Sequence, residues 1–204
     1  YKEMGFTKET IINALALLGW STENEIFSID ELIESFKLEN VQKAAAVFDL
    51  KRFNWVSSQQ LAKLDENSFF EVIKPFMENE DVNEDYPNYK KILLAMRTSK
   101  TNLKDIAHAT RPFFFELDGY DEKGVKKFLN ESLETLTFAL EVLSKLTEWN
   151  ETELDMALIK VRDYFNLPIP KVNQPMRIAL VGSTVSPSLG LTLELFGKEK
   201  SLER

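Results

Sequence analysis

The chain has 204 residues, of which 44% are hydrophobic and 28% charged, with a formal net charge of −8 and no cysteine. That length holds one large or two to three small folded domains, and the lack of cysteine excludes a disulfide framework and a thiolate zinc site. No apolar run approaches the roughly 18–20 residues that span a bilayer, and an N-terminus opening on Lys2 and Glu3, with Gly19-Trp20 closing its first apolar run, does not read as a signal peptide. These features point to a cytoplasmic protein without membrane contact.

Helical periodicity dominates the pattern in chain order. Thr7 is the predicted N-cap of a helix with Ile11, Ile12, Leu15 and Leu18 on one face and Gly19 as its stop. Ser28 to Glu31 forms a capping box that opens a short helix through Leu32, Ile33 and Phe36. Asp49 to Leu64 reads as one or two helices that turn Phe53, Val56 and Leu61 inward, and Trp20 and Trp55 are expected in the core. Beyond Asp65, helical segments alternate with short polar joints, as in helix bundles. They are expected over Ser68–Met77, Tyr89–Thr98, Leu103–Ala109, Glu122–Phe128, Ser132–Leu146 and Glu151–Phe165, with Asn102 and Asn150 as N-caps and the acidic run Glu78–Asp85 as a solvated connector.

The last stretch differs. Pro168, Pro170 and Pro175 predict that 166–175 is not a continuous helix. Met176–Val181 is short and apolar, a loop follows, and a final helix is expected over Leu189–Phe196 with Ser186 as N-cap and Pro187 at its first position.

No catalytic constellation stands out. His108 is the single histidine and reads as structural. The 33 carboxylates fit the solvent faces of amphipathic helices, and no pair is marked as a buried acid and base. Ser183, Ser186 and Ser188 have no histidine partner in sequence, and GSTVSPSLG lacks a P-loop lysine. Phe113, Phe114 and Phe115 read as a buried joint between helices, with base stacking as the alternative. Lys51-Arg52, Arg97 with Lys100, Lys126-Lys127 and Arg177 are solvated charges taken singly, and as a set they could contact phosphates.

Four separated blocks carry a resemblance: GFTKETIINALALLGWS (Gly5 to Ser21), AVFDLKRFNW (Ala46 to Trp55), QPMRIALVGSTVSPSL (Gln174 to Leu189) and LFGKEKSLER (Leu195 to Arg204). In order and type they resemble the C-terminal part of bacterial glutamyl-tRNA synthetases, over the whole chain. The resemblance implies an elongated, all-α fragment: a stem-contact domain over 1–64 and two helical anticodon-binding domains over 65–111 and 112–204. It implies the tRNA-binding part of a class I ligase that activates glutamate with ATP and Mg2+ and esterifies tRNA-Glu. The family's HIGH-like and KMSKS-like motifs are absent here, the second expected shortly before Tyr1, so this fragment is expected to be inactive alone and to hold no cofactor. The implied partner is tRNA-Glu, with tRNA-Gln as a second candidate, bound by a monomer. The rival reading is a helical protein-interaction module without RNA.

The family's anticodon arginine in its QP-x-R block falls on Arg177. The loop positions that enclose anticodon bases fall on Ser186, Pro187 and Leu189. Where discriminating members place an arginine that reads the third anticodon base, this chain has Ser99, flanked by Arg97 and Lys100. That departure implies either a non-discriminating enzyme or a contact taken over by a neighbour. Ser57-Ser58 stands where the family usually has Asn-Gly, which puts one helix-cap contact in doubt.

Overall fold

The computed structural model describes residues 1–20, 24–42 and 47–204. Ser21 and Ala46, at the edges of two of the motif blocks, lie outside the described residues. Among those described, the fold is all-helical, with one isolated antiparallel bridge, Trp20 to Val41, and no strand. Two compact units divide after Ala109.

The first unit carries α1 (Lys8–Gly19), α2 (Ile29–Ser35), a 3-10 turn (Leu38–Asn40), α3 (Leu50–Lys63), α4 (Glu66–Glu78), α5 (Tyr89–Met96) and the start of α6 (Leu103–Phe114). The capping signals act as expected, but the Ile11–Ile12–Leu15–Leu18 face of α1 is not its buried one: Ile12 and Leu15 are exposed, while Thr10, Asn13 and Ala14 are buried. The Thr7 side chain accepts the N–H of Thr10. Ser28 and Glu31 form both bonds of the capping box, Glu31 N–H to Ser28 Oγ at 3.1 Å and Ser28 N–H to Glu31 Oε2 at 2.7 Å. Phe6, Ala14, Phe53 and Val56 form a core cluster on which Ile11, Leu17 and Ile26 pack. Trp20 is buried, but Trp55 is 41% exposed, contrary to expectation. The reason is phase: α3 buries Phe53, Val56, Ser57, Gln60 and Leu61, and at about 100° per residue Trp55 points away from that stripe. The Ser57-Ser58 pair lies in mid-helix, where Ser57 is buried and accepts from Thr10 Oγ1 at 3.5 Å, so no helix cap depends on it.

The second unit continues α6 and adds α7 (Glu122–Gly124), which runs on as a π-helix over Val125–Leu129, then α8 (Leu133–Ser144), α9 (Glu151–Phe165), α10 (Ile169–Val181), α11 (Leu189–Phe196) and α12 (Lys198–Glu203). Asn150 caps α9 through Glu153 N–H at 3.1 Å, and Asn102 likewise accepts from Asp105 N–H at 2.8 Å. Phe113 is buried and stacks on Phe196, ring centres 4.7 Å apart.

Three expectations fail here. The helix over 103–109 runs on through Pro112 to Phe114. The interval 166–175 is mostly helix, because α10 spans Ile169–Val181 with Pro170 in its first turn and Pro175 in its interior. A proline in the first turn gives up an N–H that has no helical partner anyway. An interior proline costs about 3 kcal/mol, and burial of Val172, Met176 and Ile178 around Pro175, at about 1.5–3 kcal/mol for each large apolar side chain, offsets it. Finally, Ser188 rather than Ser186 caps α11, and α11 is followed by α12.

Candidate nucleic-acid interface

The turn from α10 into α11 gathers four of the residues singled out above. Gly182 ends α10 with φ +68, a left-handed value that glycine adopts without a Cβ penalty, and the chain folds back so that 186–189 passes Arg177. Arg177 Nε donates to Ser186 Oγ at 2.8 Å and Nη2 to the Pro187 carbonyl at 3.2 Å. With its amide turned to suit its neighbours, Gln174 accepts from Arg177 Nη1 and donates to the Thr184 carbonyl, both at 3.2 Å. Ser186 Oγ also meets Thr192 Oγ1 at 3.0 Å. Leu189 is buried beneath the loop, while Ser186 and Pro187 stay half-exposed.

The electrostatics of this cluster are unusual for a structural arginine. Every partner of Arg177 is neutral, and among the described residues no carboxylate pairs with it. Burial pushes its pKa down from the usual guanidinium value, although the group stays charged. A guanidinium carries five N–H donors, and three are engaged here, so two remain for an incoming acceptor. A half-buried cation aimed by neutral groups and lacking a counter-ion suits a phosphate or the acceptor edge of a base.

The other trio lies in the first unit, in the turn between α5 and α6. Arg97 is occupied: Nε donates to the Leu61 carbonyl at 2.7 Å, and Nη2 reaches the carbonyls of Leu61, Ala62 and Leu64. Its guanidinium also lies 5.2 Å from the Phe69 ring centre. The Ser99 hydroxyl is buried without a hydrogen-bond partner among the described residues. Lys100 is half-exposed, and no described residue forms an ion pair with it. Of the remaining basic points, Arg52 pairs with Glu25 at 2.7 Å and Lys127 lies over the Phe128 ring at 5.0 Å. His108 is exposed, 3.4 Å from Glu80.

Sequence reasoning missed the support around Arg177. Gln174 stands three residues before it on α10, a helical-neighbour spacing that could have been noticed. Thr192 comes from another element and left no local signal.

A family model described as an anticodon-binding domain matches residues 59–204. A second, described as the catalytic domain of class I tRNA synthetases (E and Q), matches residues 1–55. The glutamate–tRNA ligase of Thermodesulfovibrio yellowstonii is 32% identical over the whole chain, which covers 45% of that relative. That of Syntrophotalea carbinolica is 33% identical, with 44% of its length covered. The crystal structure of a glutamate–tRNA ligase from Elizabethkingia meningosepticum superposes with a TM-score of 0.79 at 28% identity, over all of this chain and 41% of that one. The chain thus spans less than half the length of these relatives.

Proposed function

The chain belongs to the anticodon-binding-domain family, and from that premise we propose that it is the tRNA-reading part of a glutamate–tRNA ligase. The whole enzyme activates glutamate with ATP and Mg2+ and esterifies tRNA-Glu. Neither nucleotide-binding signature stands in these residues. The share of the work proposed for this chain, from the anticodon-binding match over 59–204, is recognition, as a monomer in the cytoplasm, without aminoacylation by itself. Three modules, over 1–64, 65–111 and 112–204, remain the proposed division of that work.

One observation carries the reading. Arg177, in the matched family region, is half-buried, aimed by Ser186, Pro187 and Gln174, and has no carboxylate partner among the described residues. A net charge of −8 disfavours indiscriminate binding to nucleic acid, so such a chain depends on local cations placed where the RNA arrives. Ser186 and Pro187, half-exposed over the buried Leu189, form the adjoining wall for the anticodon bases, and Lys100 is a second point of contact.

The test is Arg177→Ala. Loss of a charged hydrogen bond weakens binding of an anticodon stem–loop of tRNA-Glu by about 1.5–3 kcal/mol, while the protein stays folded. Binding by the unaltered chain falls by roughly tenfold or more between about 50 and 200 mM salt as counterion release loses its advantage. A lowered melting temperature with unchanged RNA binding would make Arg177 a structural residue and overturn the reading.

A further inference from the structure

The segment from Ser186 to Gly190 is gripped from two sides. One side is α10, through Arg177, which Gln174 orients. The other is the first half of α9. Ser188 Oγ donates to Glu151 Oε1 at 2.5 Å, the Glu151 N–H donates to Glu194 Oε2 at 2.6 Å, and the Gly190 N–H is directed at the Asp155 carboxylate. The approach at Gly190 is close. A Cβ there would come within 2.3 Å of Asp155 Oδ1 and 3.1 Å of the Glu151 carbonyl.

Two carboxylates four residues apart on one helix face repel each other, and both stand beside a loop proposed to meet a polyanion. Burial raises the Asp155 pKa, the Glu151 charge raises it further, and the Gly190 N–H opposes both. This placement works against RNA affinity as plain electrostatics. Its compensation is geometric, since the Ser188 hydroxyl donates to Glu151 and the Asp155 carboxylate lies close against the Gly190 backbone. Leu189 lies between these two anchor points and is buried.

We propose that Asp155, with Glu151, is a positioning residue for RNA recognition. It fixes the 186–190 segment against Arg177 and does not touch RNA itself. The inference rests on the reading of Arg177 as an RNA contact.

The experiment compares binding of two RNAs to the 204-residue chain: an anticodon stem–loop of tRNA-Glu, and the same stem–loop with its anticodon bases replaced by adenine. The ratio of the two affinities cancels any general change in charge, because the backbones are alike. Asp155→Ala lowers that ratio by roughly threefold to tenfold, the reach of one hydrogen bond. Asp155→Asn keeps an acceptor oxygen in place and holds the ratio within about twofold. Gly190→Ala displaces the carboxylate and behaves like Asp155→Ala. Asp155 is solvent-exposed, so both of its variants are expected to fold. An unchanged ratio in Asp155→Ala overturns the inference, as does an equal loss in Asp155→Asn. Arg177→Ala in the same assay separates the two claims. If it leaves the ratio intact, the reading of the site fails and the positioning claim goes with it. If it collapses the ratio while Asp155→Ala does not, only the positioning claim falls.

Discussion

Arg97 donates Nε to the Leu61 carbonyl at 2.7 Å across 36 residues of sequence, and in doing so becomes the C-terminal cap of α3. The last carbonyls of a helix have no partner within it, and a cation there also meets the negative end of the helix dipole. The Arg97 guanidinium satisfies Leu61, Ala62 and Leu64 at once.

Arg97→Ala is therefore expected to destabilise the first unit by about 1–3 kcal/mol, seen as a lower midpoint in urea unfolding. Arg97→Lys recovers only part of this, because a single ammonium lacks the planar fork that reaches several carbonyls. At low salt the folded Arg97→Ala protein should bind tRNA-Glu as the unaltered chain does. A tenfold loss of RNA binding with unchanged stability would return Arg97 to the interface.

Gly5 sits at φ +85, and a Cβ there would lie 2.4 Å from the Lys104 backbone nitrogen. Its carbonyl accepts the Leu103 N–H at 2.9 Å, at the start of α6. Gly5→Ala meets both a left-handed backbone and a backbone clash that no side-chain rotation relieves. A loss of about 1–3 kcal/mol follows, and equal thermal midpoints for Gly5→Ala and the unaltered chain would refute it.

What could be read in the sequence was local. The N-caps at Thr7, Ser28 and Asn150 involve a bond to the residue three positions on, so composition within four residues discloses them. The inward face of α3 follows from its period, and the same period sets Trp55 outside that face, against the usual preference of tryptophan for the core. Pro170 and Pro175 read as breakers, since local rules count the lost N–H but not its position in the first turn or the burial around it. The roles of Arg97 and Asp155 were not legible at all, because each depends on a helix far along the chain. At the candidate site, Arg177, Ser186, Pro187 and Leu189 came from motif resemblance, and their convergence on one another became visible only in three dimensions.

Asp65 caps α4, accepting from Ser68 Oγ at 2.6 Å and from the Ser68 N–H at 3.1 Å. The Ser68 hydroxyl first, then its N–H, hold the Asp65 carboxyl below its ordinary value. A depressed folded-state pKa means that this contribution is fully present above the unfolded carboxylate value and is lost as pH falls through the folded one. Asp65→Asn keeps an acceptor for the N–H but has no charge to lose, so the difference in melting temperature between the two proteins should shrink steadily on acidification. A difference that stays constant from neutral pH down past the carboxylate range would show that the charge plays no part in the cap.

We propose that specificity is set at the turn between α5 and α6. Discriminating relatives are expected to place an arginine where this chain has Ser99, and a guanidinium fork aimed at a base edge can distinguish cytosine from guanine at the third anticodon position. The Ser99 hydroxyl is buried and unpartnered, so it is not presented to a base. Arg97 cannot take over without releasing the end of α3. Lys100 is left as the nearby cation, a flexible point charge suited to a phosphate and poor at telling base edges apart. The preference lost with the arginine is on the order of 1–3 kcal/mol. The whole enzyme is thus expected to charge tRNA-Gln as well as tRNA-Glu with glutamate. Charging assays on both tRNAs decide this, and a preference for tRNA-Glu above about a hundredfold, near the upper end of what one base contact supplies, would sink the proposal. Ser99→Arg should sharpen the preference only if the longer side chain reaches out of the buried position of the Ser99 hydroxyl to the base, and Lys100→Ala should weaken binding of both tRNAs alike. If Lys100→Ala instead weakens tRNA-Glu alone, the lysine reads the base and the enzyme discriminates by a route that its sequence does not advertise.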